Sequence, residues 1–155
     1  MREILFRAKR LDNGEWVEGY YYRGTFSNEL KTYIKQNAID NDEGKLFRYD
    51  INYEVDTNTL CQYTGLTDKN GLKIWENDIL KGFFYPYLSD GKDNYYTEVI
   101  YFDNCPAFGI YTHKNPKSSV NGIAEGCTEL MGEWDSENWE VIGNIFDNAE
   151  LLEVK

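Results

Sequence analysis

One histidine, three cysteines and three prolines are all that this chain of 155 residues holds of the residue types that build metal sites, disulfide frameworks and rigid linkers. Each shortage excludes something. Cys61, Cys105 and Cys127 stand at irregular spacing and cannot form a disulfide framework, so a reducing cytoplasm is the expected compartment. Together with His113 they offer zinc-ligand types, but without the CxxC or HxxxH pairs from which structural zinc sites are assembled. No metal is expected. No run approaches the roughly 20 apolar residues of a membrane-spanning helix. No secretory signal opens the chain, which goes from Met1 directly into a strand-like pattern. No membrane association is expected.

The motifs of catalysis are missing as well. There is no GxGxxG, GxxxxGK[ST] or GxSxG segment, hence no common nucleotide cradle or nucleophile elbow. A dyad of His113 with Cys105 or Cys127 has no flanking signature of a cysteine nucleophile, and a loop or core histidine is the simpler reading. Two acidic segments imitate calcium loops and fail the pattern. Setting Gly71 at the sixth loop position puts Leu66 first and Asn77 twelfth, where carboxylates are required. Setting Asp40 first puts Lys45 where glycine is needed. Asp68-Lys69-Asn70-Gly71 and Asp40-Asn41-Asp42-Glu43-Gly44 therefore read as turns. No enzyme activity and no cofactor are expected.

Positive charge is also scarce: 16 Lys and Arg against 27 Asp and Glu give a net charge of −11. The excess is concentrated at the end, where residues 121–155 carry nine acids against Lys155 alone. A field of that sign repels a phosphate backbone, so direct nucleic-acid binding is disfavoured. Solubility is the plain reason for such a surface. A sharper one is an acidic face of Glu125, Glu129, Glu133, Asp135 and Glu137 that imitates nucleic acid on a basic site of a host defence or replication protein.

Aromatic residues are abundant. Thirteen Tyr, eight Phe and four Trp make 16% of the chain, a composition that suits pleated, half-buried strands. At this length a domain buries roughly 70% of its unfolded surface and needs no staple. Strand patterns recur with turn signals between them. Ile4, Phe6 and Ala8 alternate up to Asp12-Asn13-Gly14, where Asn-Gly supplies the positive φ pair of a type I′ turn into Trp16–Tyr22. Ser27-Asn28-Glu29-Leu30 reads as a short helix start, and Tyr33-Ile34-Lys35-Gln36 equally as a strand. A second Asn-Gly turn at Asn70-Gly71 leads to the strand Asp78–Phe84. Further strands are expected at Tyr95–Phe102, Phe108–His113 and Trp139–Phe146, then a helical turn capped by Asp147 or Asn148. The class is mainly β, a β-rich α+β chain.

Three blocks in order carry a resemblance. Phe6-Arg7-Ala8 lies at the start, and Gln62-Tyr63-Thr64-Gly65-Leu66-Thr67-Asp68-Lys69-Asn70-Gly71 with Ile74-Trp75-Glu76-Asn77-Asp78-Ile79 in the middle. Glu140-Val141-Ile142-Gly143-Asn144-Ile145 with Glu150-Leu151-Leu152 lies near the end. The chain resembles the YopX family of phages and prophages of low-GC Gram-positive bacteria. That resemblance implies an SH3-like barrel over residues 61–155, with a β-hairpin extension over residues 1–60, and supplies no chemistry. Cys61 and Asn77 stand where the family usually has glycine. Asn tolerates the left-handed region best after glycine, so the turn at Asn77 is expected to survive.

The aromatic run Phe84, Tyr85 and Tyr87 with Tyr95 and Tyr96 is the sequence's best binding candidate, since aromatic platforms beside barrel loops stack bases or extended peptides. Aromatics filling a barrel poor in Leu are the competing explanation. The leading functional expectation is a non-enzymatic phage or prophage accessory protein that binds a host or phage macromolecule. The alternatives are the acidic mimic and a small-ligand, nucleotide-binding protein. Homo-oligomers are a further possibility, because so β-rich a chain has strand edges to pair.

Overall fold

A computed structural model describes residues 3–42, 44–83, 94–114, 126, 128–132 and 138–152. The chain divides into two compact units, Met1–Tyr63 and Thr64–Lys155. Nearly all of its regular structure is antiparallel strand.

The first unit is built from β1 (Phe6–Lys9), β2 (Trp16–Phe26), β3 (Glu29–Asp42) and β4 (Lys45–Glu54), followed by a 3-10 turn at Thr57–Thr59. The strand order is β4-β3-β2-β1-β5, where β5 is Cys61–Thr67. Ala8, Val17, Ile34 and Val55 form its buried core, with Phe6, Tyr21, Tyr53 and Leu60 packed around them. The registers explain this set. Ala8 lies opposite Val17 and Tyr21 opposite Ile34, so alternate residues of three strands share one face. Gly19 sits where β2 turns from β3 towards β1. A Cβ at that position would overlap the Lys35 carbonyl oxygen, so only glycine allows the close approach.

The turns differ from their sequence reading in an instructive way. Ser27 and Asn28, read as a helix start, are the two-residue hairpin turn between Phe26 and Glu29. Both have positive φ, 51° and 67°, as a type I′ turn requires. At Asn13-Gly14 and Asn70-Gly71 only the glycine does so, Gly14 at 74° and Gly71 at 81°. There the loops are longer, closed by Arg10 N–H to Glu15 O at 2.9 Å and by Asp68 N–H to Leu72 O at 2.8 Å. A residue in the left-handed region at the end of a longer loop is the usual alternative to the two-residue turn. Asp40–Asp42, read as a turn, belong to β3.

The second unit holds the last residues of β5, then β6 (Lys73–Trp75), β7 (Asp78–Phe83), β8 (Asn94–Tyr101), β9 (Phe108–Lys114), β10 (Thr128–Leu130), β11 (Trp139–Asn144) and a 3-10 turn at Ala149–Leu152. Five of these strands form a sheet in the order β10-β9-β8-β7-β11. Ile74, Leu80, Val99, Ile110 and Trp139 are its buried cluster. Ile79 and Leu80, consecutive in β7, are both fully buried, as expected for a central strand covered on both faces. The mainly-β class is thus observed, but a closed SH3-like barrel is not. Among the described residues the sheet is open, with β10 and β11 at its two ends. Among the described residues, Trp75, Trp139, Tyr63 and Phe108 are buried alongside Ile, Leu and Val, while Tyr20, Tyr22, Tyr49 and Tyr101 are exposed. Asn77 has φ 66°, so the turn before β7 keeps its left-handed residue without glycine.

Candidate functional site

The second unit spends its buried carboxylates on its own loops. Asp68 Oδ1 accepts from the backbone N–H of Asn70 at 2.8 Å and of Leu72 at 2.9 Å, while its Oδ2 accepts from Val141 N–H at 3.0 Å. Asp78 Oδ2 accepts from Trp75 N–H at 2.8 Å. These groups lock turns, and none faces a cleft as a free acid or base. His113 Nε2 lies 2.8 Å from Glu98 Oε2, and the ring packs edge-on against Tyr111. Cys61 is buried with its thiol 3.3 Å from Thr59 O, and Cys105 is exposed. Cys127 lies outside the described residues.

Neither candidate set from the sequence is assembled by the described residues. Phe84, Tyr85 and Tyr87 lie outside them, as does the side chain of Tyr95, whose backbone pairs with Gly82. Tyr96 is half-buried opposite Lys81. Of the acidic set, Glu129 is exposed on β10 opposite Ile110; Glu125, Glu133, Asp135 and Glu137 lie outside.

A different surface is well formed, on the face of the first unit opposite its core. The registers set Tyr20 beside Lys35, Tyr22 beside Tyr33 and Lys9 beside Trp16. Tyr22 and Tyr33 stack with centroids 5.2 Å apart at 16°, and Tyr22 Oη donates to Asn52 Oδ1 at 3.2 Å. Arg7 and Lys9 stand over the Trp16 ring at 4.7 and 5.5 Å, contacts worth about 0.5–1 kcal/mol each at exposed sites. Ion pairs Lys31–Glu54 at 3.0 Å and Lys35–Asp50 at 2.6 Å fix the flanks. The hydrogen bond to Glu54 raises the Lys31 pKa and keeps it charged. Tyr20 is 52% exposed and Tyr22 40%. The signal in the sequence was the period-2 run Trp16, Glu18, Tyr20, Tyr22. It marks a strand, but which alternate set is buried depends on what packs against the sheet.

Two shallow grooves of about 400 and 580 Å³ flank this unit. Arg10 and Tyr53 line both, with Trp16, Glu18 and Gln36 in the first and Asp12, Asn52 and Glu54 in the second. The Arg10 guanidinium lies 4.6 Å from the Tyr53 ring centroid and its Nε donates to Asp12 Oδ1 at 2.9 Å. That hydrogen bond lowers the Asp12 pKa and raises that of Arg10. The arrangement offers stacking, apolar contact and fixed charge.

The family model of the YopX protein matches residues 5–153. The chain belongs to the YopX protein family. Its fold is similar to the crystal structure of protein EF1440 from Enterococcus faecalis, with a TM-score of 0.57 and 23% identity over 99% of this chain and 100% of that one. No curated protein matches it. Cys61 is fully buried and Asn77 adopts the left-handed region. No helix among the described residues is long and apolar enough to cross a membrane.

Proposed function

We propose that this YopX-family chain is a non-catalytic phage or prophage accessory protein that works in the bacterial cytoplasm by binding a host or phage protein. The observation that carries the reading is the exposed Tyr20 and Tyr22, with Tyr22 stacked on half-buried Tyr33, and their flanking cations. Tyr supplies large contact area at low entropic cost and is enriched where proteins meet. A protein is favoured over nucleic acid as partner because the net charge of −11 opposes a phosphate backbone. The buried carboxylates of the second unit are engaged by backbone N–H groups, which supports a role without catalysis.

The test is capture of partners from host lysate by tagged wild-type protein and by a Tyr20→Ala/Tyr22→Ala variant, with and without nuclease. Tyr101→Ala serves as the exposed-aromatic control. A nuclease-resistant, stoichiometric protein partner is expected, with affinity reduced by at least about tenfold in the double variant, as for a modest hot spot. Equal capture by the double variant and wild type would remove this face from the interaction.

A further inference from the structure

The strand β4 ends the sheet of the first unit, and its free edge has a phase that can be read from its own ladder. Across β3 the paired positions are Ile34 with Tyr53, Gln36 with Ile51 and Ala38 with Tyr49. Val55 N–H, in the same series, donates to Thr32 O at 3.0 Å. Odd-numbered residues of β4 therefore turn their N–H and C=O towards β3, and even-numbered ones turn theirs away. Glu54 agrees with that phase, because its carbonyl accepts from Leu11 N–H at 3.0 Å, outside the β3 ladder. Beyond that capped end, Leu46, Arg48, Asp50 and Asn52 present backbone groups that have no partner among the described residues. Natural edges are blunted with proline, charged side chains, bulges or covering loops, and of these β4 has only charges, which occur in both signs at Arg48 and Asp50. β4 has no proline, and its register with β3 is unbroken from Lys45 to Glu54. At this end of β4 Leu46 is 72% exposed and Tyr49 49%.

We infer that this edge pairs with the same edge of a second copy of the chain, antiparallel about a two-fold axis at Tyr49. The hydrogen-bonding phase allows only registers that set even residues opposite even ones. Among these, the register centred on Tyr49 places Arg48 opposite Asp50 of the second copy, twice, and Leu46 opposite Asn52. Shifting the partner by two residues one way sets Arg48 against Arg48, and the other way sets Asp50 against Asp50. Like charges directly opposite destabilise a sheet, and opposite charges support it. Charge and hydrogen-bond phase thus select one register. It joins the four outward residues of each copy through about eight N–H···O bonds and makes an isologous interface, the closed form that dimers adopt. Within each chain Asp50 also pairs with Lys35, so the seam becomes a line of alternating charge. The edge borders the Tyr20–Tyr22 face through Asn52 and Asp50, but the pairing uses backbone groups of β4 and is read from the purified chain, without capture of another protein.

Sedimentation of the full chain over a range of concentrations is expected to show a monomer–dimer equilibrium. Arg48→Pro removes an outward N–H while leaving the β3–β4 ladder intact. With circular dichroism confirming the fold, it is expected to abolish the dimer. Asp50→Arg sets Arg against Arg and weakens the dimer by at least about tenfold. Adding Arg48→Asp to that variant restores it, although Lys35 stays unpaired in both. In a Cys105→Ser background, Tyr49→Cys cross-links on oxidation, because a non-hydrogen-bonded pair sets the two Cα atoms about 4.5 Å apart. Leu46→Cys does not. A monomer at every concentration would overturn the inference. So would a dimer indifferent to Arg48→Pro and the charge swap, or cross-linking of Leu46→Cys as efficient as that of Tyr49→Cys.

Discussion

Asp68 sits in a segment that reads from sequence as a turn, and so it is. What the sequence does not show is that one carboxylate holds three N–H groups, two in its own loop and one on Val141, 73 residues away. A hydrogen bond to a charged acceptor contributes about 1.5–3 kcal/mol, and orphaned buried donors add to the loss. Asp68→Ala is expected to destabilise the protein by about 3 kcal/mol or more, measured as a lower urea midpoint. Asp68→Asn keeps one oxygen for the loop and turns an amide towards Val141 N–H, so it should cost about half as much. The turns give the same lesson on a smaller scale. Asn77 was legible as a left-handed position, because Asn is the substitute for glycine that costs least. Ser27-Asn28 was not, because Ser carries no such preference, and the hairpin is held by strands whose pairing lies beyond local reach.

Element types were legible where side-chain alternation is strict, as in β1 and β8, and poorly so between Gly24 and Glu54. There β2, β3 and β4 run for 11, 14 and 10 residues, about twice the usual strand length of 5–6. Much of that length is exposed on both faces, so its alternation of polar and apolar residues is blurred. The same burial differences set local stability. Amide exchange in the second unit is expected to be slowest at Leu80, Thr97 and Val99, in the adjacent strands β7 and β8. It should be at least about a hundredfold faster at Thr128–Leu130, a three-residue edge strand with every side chain exposed. Uniform protection across both strands would mean that the sheet opens only as a whole.

At the scale of the molecule, the acidic balance gives a sequence pI of about 4.5. Charge repulsion keeps such a protein dispersed at neutral pH and vanishes at the pI. Turbidity is therefore expected to peak near pH 4.5 and to clear on raising the pH; constant solubility through that range would show that net charge does not govern it.

Composition and pattern alone determined the strand-rich class, the order of most strands and the family, because aromatic content, alternation and the Gln62–Gly71 block are local properties of the chain. Tertiary structure alone decided that the second sheet is open among the described residues and that the exposed aromatic face lies on β2 and β3. A strand's alternation has two faces of equal period, and only the packing of other elements against the sheet fixes which of them meets water.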